Sequence, residues 1–442
     1  PVYEDGEKIE YNFTEDPVEG YDQSIIGFNV TNSHIIETVW FPVGITWLDN
    51  DNAGNTRPES VTVNLLMNGE SKQEQVISPN EYGACIYEFD VTALSRNNPN
   101  AEFSVAAINI EGYTCEIDTS ESFYNIILLS DSVPAFKMQS LVLGGQIGVN
   151  FFMNLPTIDG VDYSTSFMTF SVEHGTCTEQ DVFDSTHKNN NGEGKYYGFT
   201  CFVNSIQMAE PITATFHYVQ DGVEKTVEKI YSVDDYFTAF EDAVTAGKIT
   251  DDATIDLVHA LADYGHYVQP FLSNERGWTM GTDYATLDTH YAESYGISTI
   301  KNAVSGKAID VTNNTGGDIK KITYSLTLDS DTVINVYFKP GDGYDGNFTA
   351  TVDDKPVDCT KSGGRCCVKI SGIAAHELSK SHTIIVTTAE GHTATVTVSA
   401  MSYVNSALIY YTDDEDAQYA VASLYAYSNA ADAYNKDSQN NQ

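Results

Sequence analysis

Asp49, Asp51 and Gly54 lie in the run Asp-Asn-Asp-Asn-Ala-Gly, which has the opening of a calcium loop. Carboxylates two residues apart can turn their oxygens onto one hard cation, and glycine at the sixth place permits the sharp turn. The fifth-position ligand and the glutamate at the twelfth are missing. We read the run as a turn, so no metal and no cofactor is expected. A second cluster, His259, Asp263 and His266, has helical spacing. Imidazoles and a carboxylate on one helix face can exchange protons. Their aromatic and apolar neighbours favour a partly buried helix face instead. No GxSxG, HExxH, P-loop or dinucleotide fingerprint is present, and nothing singles out a glycosidase pair of carboxylates. No enzyme is expected.

The elements that carry these residues are mostly strands. SVTVNLLMN, TATFHYV, SLTLDSDTVINVYF and ATVTVSAMSYV alternate or run apolar, with many β-branched residues. Turn signals such as NPN, GDGYDG and SGG separate them. Helices have start signals of their own. Ser232 to Asp235 is a capping box, and Gly247 ends the helix that follows. A second helix starts at Thr250 or Asp251 and is expected to end at Pro270. Thr412 to Glu415 caps a last helix that runs to about Tyr434. An internal repeat links these parts. SLVLGGQIGVNFF at Ser140 parallels SLTLDSDTVINVYF at Ser325, and LVHALADYGHY parallels AVASLYAYSNA through Leu261/Leu424 and Tyr264/Tyr427.

At 442 residues the chain is long enough for several domains. Asp and Glu number 63 against 22 Lys and Arg, a net charge of −41, which repels nucleic acid and anionic membranes. Apolar residues at 41% rule out a disordered acidic chain. No apolar run is long enough to span a bilayer. There are seven cysteines. Cys359 and Cys367 flank Gly363 symmetrically, and opposite positions on a hairpin could bring them together. Buried reduced thiols are the reading for most of the others.

Residues 3–34 read YEDGEKIEYNFTEDPVEGYDQSIIGFNVTNSH. They resemble the second half of a Cna-B-type repeat of Gram-positive cell-surface proteins. Glu15 falls in the family's YxxxE box and Asn32 in its TN(S/T)H end. The resemblance implies an isopeptide bond: a first-strand lysine amine attacks the asparagine carboxamide, ammonia leaves, and a buried glutamate moves the protons. No lysine-bearing strand precedes these residues, so the expectation is a cut domain or one completed by another chain. Residues 45–70, ITWLDNDNAGNTRPESVTVNLLMNGE, resemble the same family at Trp47, Arg57, Pro58, Ser60, Val61, Val63, Leu65, Asn68 and Gly69. Here alignment puts Ile45, Ala107 and Ile127 at the lysine, glutamate and asparagine places. Losing all three together avoids an unpaired buried charge, whose cost is roughly 3–5 kcal/mol.

The expected fold is mainly β. Residues 1–35 form a half-module and 36–131 an immunoglobulin-like module without the bond. Residues 132–305 form a β-sandwich with a helical hairpin, and 306–442 a second sandwich with a C-terminal helix. The expected function is structural or adhesive, at the bacterial cell surface and in a fibre or filament. Expected partners are further copies of the chain, a surface protein, or a host or glycan ligand. A carbohydrate-binding module using exposed tyrosines among the 28 present is the alternative. A secreted polysaccharide hydrolase is the more distant one.

Overall fold

The computed structural model describes residues 2–440 apart from 5–6, 9–13, 19–20, 35–37, 81–83, 108–109, 120–123, 143–145, 190–194, 277–286 and 329–331. The expected start of the second module at Ile36 lies outside the described residues. The chain forms two compact units, Pro1–Trp47 with Arg57–Leu128, and Leu48–Thr56 with Leu129–Gln442. This is coarser than the four domains expected from sequence. The two repeat copies fall in a single unit, because their buried residues form one core.

In the first unit, β1 (Tyr3–Glu4) and β2 (Glu7–Lys8) make a short ribbon. β3 (Tyr21–Ile26) and β4 (Asn29–His34) make a hairpin around Gly27-Phe28. Gly27 sits at φ +62°, a left-handed conformation that glycine adopts without a Cβ penalty. Ile26 is 77% exposed and Phe28 69% exposed, and Tyr21, Ile25 and Val30 are also open to solvent. This hairpin contributes nothing to the unit's hydrophobic core.

That core belongs to the second module. Its strands are β5 (Trp40–Leu48), β6 (Val61–Met67), β7 (Glu70–Ile77), β8 (Cys85–Asp90), β9 (Phe103–Ala107), β10 (Tyr113–Asp118) and β11 (Tyr124–Ser130), with a short helix α1 (Thr92–Asn97). Two sheets, ordered β10-β11-β5-β8 and β7-β6-β9, carry it. Alternation in β6 turns Val61, Val63 and Leu65 inward, as its sequence pattern requires. Trp47 meets Tyr113 edge-on at 5.0 Å, and the Arg57 guanidinium lies 5.3 Å over its ring. Ile45 is in the core and Ala107 packs against it. Ile127 departs from expectation. It is buried, but Ile126 and Leu128 are the β11 residues that enter this core. Strand period two therefore puts Ile127 on the opposite face, beside Asn125, which accepts from Thr46 Oγ1 at 3.1 Å. The alignment of that strand is off by one residue.

The second unit holds the repeat. Its first copy comprises β12 (Ala135–Val142), β13 (Gly148–Asn154), β14 (Phe167–Ser171), β15 (Gln180–Val182), β16 (Tyr197–Phe202), β17 (Ile212–Gln220) and β18 (Val223–Tyr231). Helices α2 (Val233–Thr245), α3 (Asp252–Arg276), α4 (Tyr291–Tyr295) and α5 (Ile297–Val304) follow. The second copy comprises β19 (Asp310–Asn313), β20 (Ile319–Leu328), β21 (Thr332–Pro340), β22 (Phe348–Val352), β23 (Lys355–Val357), β24 (Thr360–Ser362), β25 (Arg365–Ile373), β26 (His382–Thr388) and β27 (Thr393–Val398), then α6 (Ala400–Tyr410) and α7 (Glu415–Asn440).

The strand orders correspond. Sheets β12-β13-β16 and β15-β14-β17-β18 in one copy match β20-β21-β25 and β23-β22-β26-β27 in the other, with β24 and β19 added at edges. Both copies even have a register shift near the start of the first strand, at Phe136/Met138 and Ile319/Lys321. Ser232 and Ser399 cap equivalent helices α2 and α6. The copies meet through α3 and α7, where the repeat-related Tyr264 and Tyr427 stack at 5.8 Å.

Three sequence readings fail here. α3 does not end at Pro270 but continues to Arg276. The proline removes one backbone donor, yet Leu261, Tyr264 and Val268 are buried and hold the helix by packing. Gln269 Nε2 also donates to the Gly265 carbonyl at 3.0 Å. The disulfide joins Cys359 to Cys366, not to Cys367. The hairpin β24–β25 pairs Lys361 with Cys366 and Thr360 with Cys367. Its turn is centred between Gly363 and Gly364, so Cys366 shares a face with Cys359 and Cys367 points the other way. α7 also runs beyond the expected Tyr434, to Asn440.

His187 is a buried titratable group in the first copy. Its ring nitrogens lie 3.0 Å from Asp181 Oδ1 and 3.0 Å from Asp184 Oδ1. Hydrogen bonding to Asp181, opposed by burial, raises its pKa above the ordinary 6.5. A raised native pKa means the protonated form binds the fold more tightly. The contribution is complete below about pH 6.5 and is lost as pH rises through the raised native value. Urea midpoints of wild type and His187→Gln are therefore expected to differ most at pH 5.5–6 and to converge at higher pH. A gap that widens with pH refutes this assignment.

Candidate functional site: the Glu15–Asn32 pair

The two-residue turn at Gly27-Phe28 sets the hairpin register, and that register places Asn32 opposite Gln23. Glu15, from the segment before the hairpin, reaches both side chains. Its Oε1 accepts from Asn32 Nδ2 at 2.9 Å and its Oε2 accepts from Gln23 Nε2 at 2.8 Å. The carboxylate therefore holds the carboxamide by the nitrogen that leaves as ammonia when an amine attacks Cγ. A proton carrier beside a leaving nitrogen is the arrangement acyl transfer from an amide needs. Sequence reasoning singled out Glu15 and Asn32 and missed Gln23. The signal was available, because Gln23 and Asn32 are equidistant from the turn. Asn32 and Gln23 are exposed, and among the described residues no lysine is buried.

The other candidates serve the fold. Asp49 is buried and accepts from Asn52 N at 2.9 Å, closing a turn through Asn50, Asp51 and Asn52, all at positive φ. Asp51 is exposed. Gly54 is required by packing, since a Cβ there would meet Ser132 Oγ at 2.7 Å. Among the described residues no group of three His, Cys, Asp or Glu is placed to hold a metal.

Asp263 is fully buried and anchors the segment leading into α4. It accepts from Thr289 N at 3.1 Å, Thr289 Oγ1 at 3.2 Å and Ala292 N at 2.6 Å. Burial, partly offset by these bonds, raises its pKa. His259 pairs with Glu241 at 2.5 Å, and His266 lies 3.8 Å from Asp288. The cluster is thus divided among separate partners. Asp263→Ala leaves two backbone donors without their acceptor and is expected to cost about 2–3 kcal/mol. Amide exchange at Thr289 and Ala292 should accelerate more than elsewhere. Unchanged exchange there would refute the anchoring role.

Tyrosines of the repeat pack rather than project. Tyr196, Tyr218, Tyr264 and Tyr427 are buried, while Tyr267 stacks on Tyr419 at 5.1 Å. Tyr410, at 79% exposed, is the exception among those in the expected sugar-binding set. No described helix is long and apolar enough to cross a membrane.

The fold and site of the N-terminal region define an immunoglobulin-like β-sandwich class, with a carboxylate–carboxamide pair on a separate hairpin. Residues 1–33 and 42–127 match the model of the Cna protein B-type domain. A 135-residue stretch is 27% identical to a collagen adhesin of Staphylococcus aureus and covers 30% of this chain. The chain spans only 11% of that relative's length. Among solved structures it is similar to a single B repeat unit of the collagen-binding surface protein of Staphylococcus aureus, at 25% identity. That match covers 29% of this chain and 70% of the other, with a TM-score of 0.19. It is also similar to a two-repeat unit of the same protein at 14% identity, covering 52% and 85%, with a TM-score of 0.18.

Proposed function

We propose that this chain is part of a structural or adhesive protein of the bacterial cell surface. In this reading its N-terminal half-module is completed by a lysine-bearing strand and cross-linked through Asn32. The observation that carries the reading is the Glu15–Asn32 hydrogen bond at 2.9 Å on a hairpin whose apolar residues are exposed. A two-stranded hairpin is marginal alone, and exposed strand edges recruit partners. A completed module would cover Tyr21, Ile25 and Val30, which share the face of Gln23 and Asn32, and remove water from the pair. Desolvation favours the neutral amine and the protonated acid, the reactants this chemistry needs. Lysine Nζ attacks Asn32 Cγ, Glu15 relays the amine proton to Nδ2, and ammonia leaves as the new amide forms.

The filament version has the strand come from a second copy of the chain, as in strand addition between protomers. Match to adhesin modules supports the surface role. The packed tyrosines weigh against the glycan-binding alternative. Denaturing gels and intact masses of the natural material test the proposal. A ladder of multimers, each junction lighter by about 17 Da, supports the filament. The same loss within one monomer places the bond inside a single polypeptide. An unmodified Asn32 in every species refutes the cross-link.

A further inference from the structure

The first repeat copy holds two thiols that the cross-link does not use. Cys177 lies between β14 and β15, strands of one sheet. Its segment crosses to the other sheet, where Cys177 forms an antiparallel bridge with Val203. Thr178 N donates to Phe202 O at 3.0 Å, and Phe202 N donates to Thr178 Oγ1 at 2.9 Å. Across an antiparallel pair, residues offset by two lie diagonally on one face. Cys201 precedes Val203 by two, so it shares a face with Cys177. Cys177 Sγ donates to Thr178 O at 3.4 Å and Cys201 Sγ to Phe202 O at 3.8 Å.

The second copy shows what this diagonal permits. Its register pairs Thr360 with Cys367. Continued by one residue, Cys359 stands against Val368, and Cys366 again precedes that partner by two. There the Cα atoms are 5.6 Å apart and the sulfurs are bonded, a separation disulfides ordinarily have. Both cysteine pairs flank the third strand of the corresponding sheet, β16 in one copy and β25 in the other.

We propose that Cys177 and Cys201 form a disulfide, made by exchange with a disulfide-bearing oxidant, that ties the two sheets of the first sandwich together. Cys177 is half-buried and Cys201 fully buried, so Cys177 is the entry point. The neighbouring Cys201 thiol holds the Cys177 thiol below its usual range. The Cys177 thiol beside it, with burial, pushes Cys201 up. The Cys177 thiolate attacks one sulfur of the oxidant, whose S–S bond breaks and releases a thiolate. Cys201 gives its proton to that thiolate, and its sulfur attacks Cys177 Sγ. The second thiolate of the oxidant leaves and takes a proton from water, balancing the one Cys177 lost. Two protein thiols are oxidised and one disulfide is reduced to two thiols.

The test uses the full chain, incubated with oxidised glutathione, unfolded, alkylated and digested without reduction. The expected product is a pair of peptides joined through Cys177 and Cys201, lighter by about 2 Da than their sum. Cys85, Cys115 and Cys367 are expected to be alkylated. Alkylated Cys177 or Cys201, or either one linked to another cysteine, overturns the proposal. A Cys359→Ser, Cys366→Ser double variant, with the proposed bond as its remaining disulfide, isolates the tie. Reduction is expected to lower its Tm by roughly 5 °C. An unchanged Tm overturns the tying role.

Discussion

Phe216→Ala is expected to destabilise the 129–442 unit by about 3–5 kcal/mol. Phe216 is fully buried on β17, where it lies 5.4 Å from Phe199 on the facing sheet and also meets Tyr163 and Tyr218. Alanine removes most of a ring from a site bounded by rings, and aromatic side chains fixed by both sheets cannot collapse into the space. Domain stability is typically about 5–15 kcal/mol, so the loss is a large fraction of it. Urea titration should show a lower midpoint with an unchanged slope. Ser171→Ala, at an exposed position on the neighbouring strand β14, should stay within about 0.5 kcal/mol. A Phe216→Ala midpoint equal to that of Ser171→Ala would show that this aromatic cluster does not hold the sandwich.

Asn32→Ala is expected to abolish the proposed cross-link completely, since it removes the carboxamide carbon that the lysine attacks. Glu15→Ala is expected to lower the rate of bond formation by about 100-fold or more, the usual contribution of a positioned proton carrier. Gln23→Ala frees one carboxylate oxygen while leaving Glu15 on Asn32, so it should slow the reaction less than Glu15→Ala. These variants need the same donor strand as wild type, and intact mass over time is the readout. Equal rates for wild type and Glu15→Ala would remove the glutamate from the chemistry. Cross-linking that survives Asn32→Ala would move the bond elsewhere. Because the hairpin is exposed and outside the core, none of the three substitutions should change the stability of the second module.

Individual residues show how much was legible in the chain. Glu15 and Asn32 could be singled out in the chain because two short boxes carry them. A capping box at Ser232 was foreseen because cap chemistry is local. The duplication was legible because its apolar patterns recur, and the corresponding strand orders of the two sandwiches agree with it. Failures occurred where the outcome depended on packing or on a single step of register. Pro270 marks a helix stop locally, but buried neighbours on α3 override it. The placement of Cys359 opposite Cys367 assumed a turn centred on Gly363, and the observed centre half a residue later changes which face each thiol occupies. Ile127 failed for the same reason, since one residue of slip along a strand exchanges core and outer faces.

By itself the sequence determined the strands, the capped helices, the B-type resemblance of the N-terminal region and the existence of a repeat. These depend on period, turn chemistry and short motifs, all of which act over a few residues. Tertiary structure alone decided that the two copies share one core through α3 and α7. It alone brought Gln23 to Glu15, divided the histidines of α3 among separate carboxylates, and set Cys177 against Cys201. Each of these joins residues far apart in the chain or depends on register between strands, and no local preference encodes either.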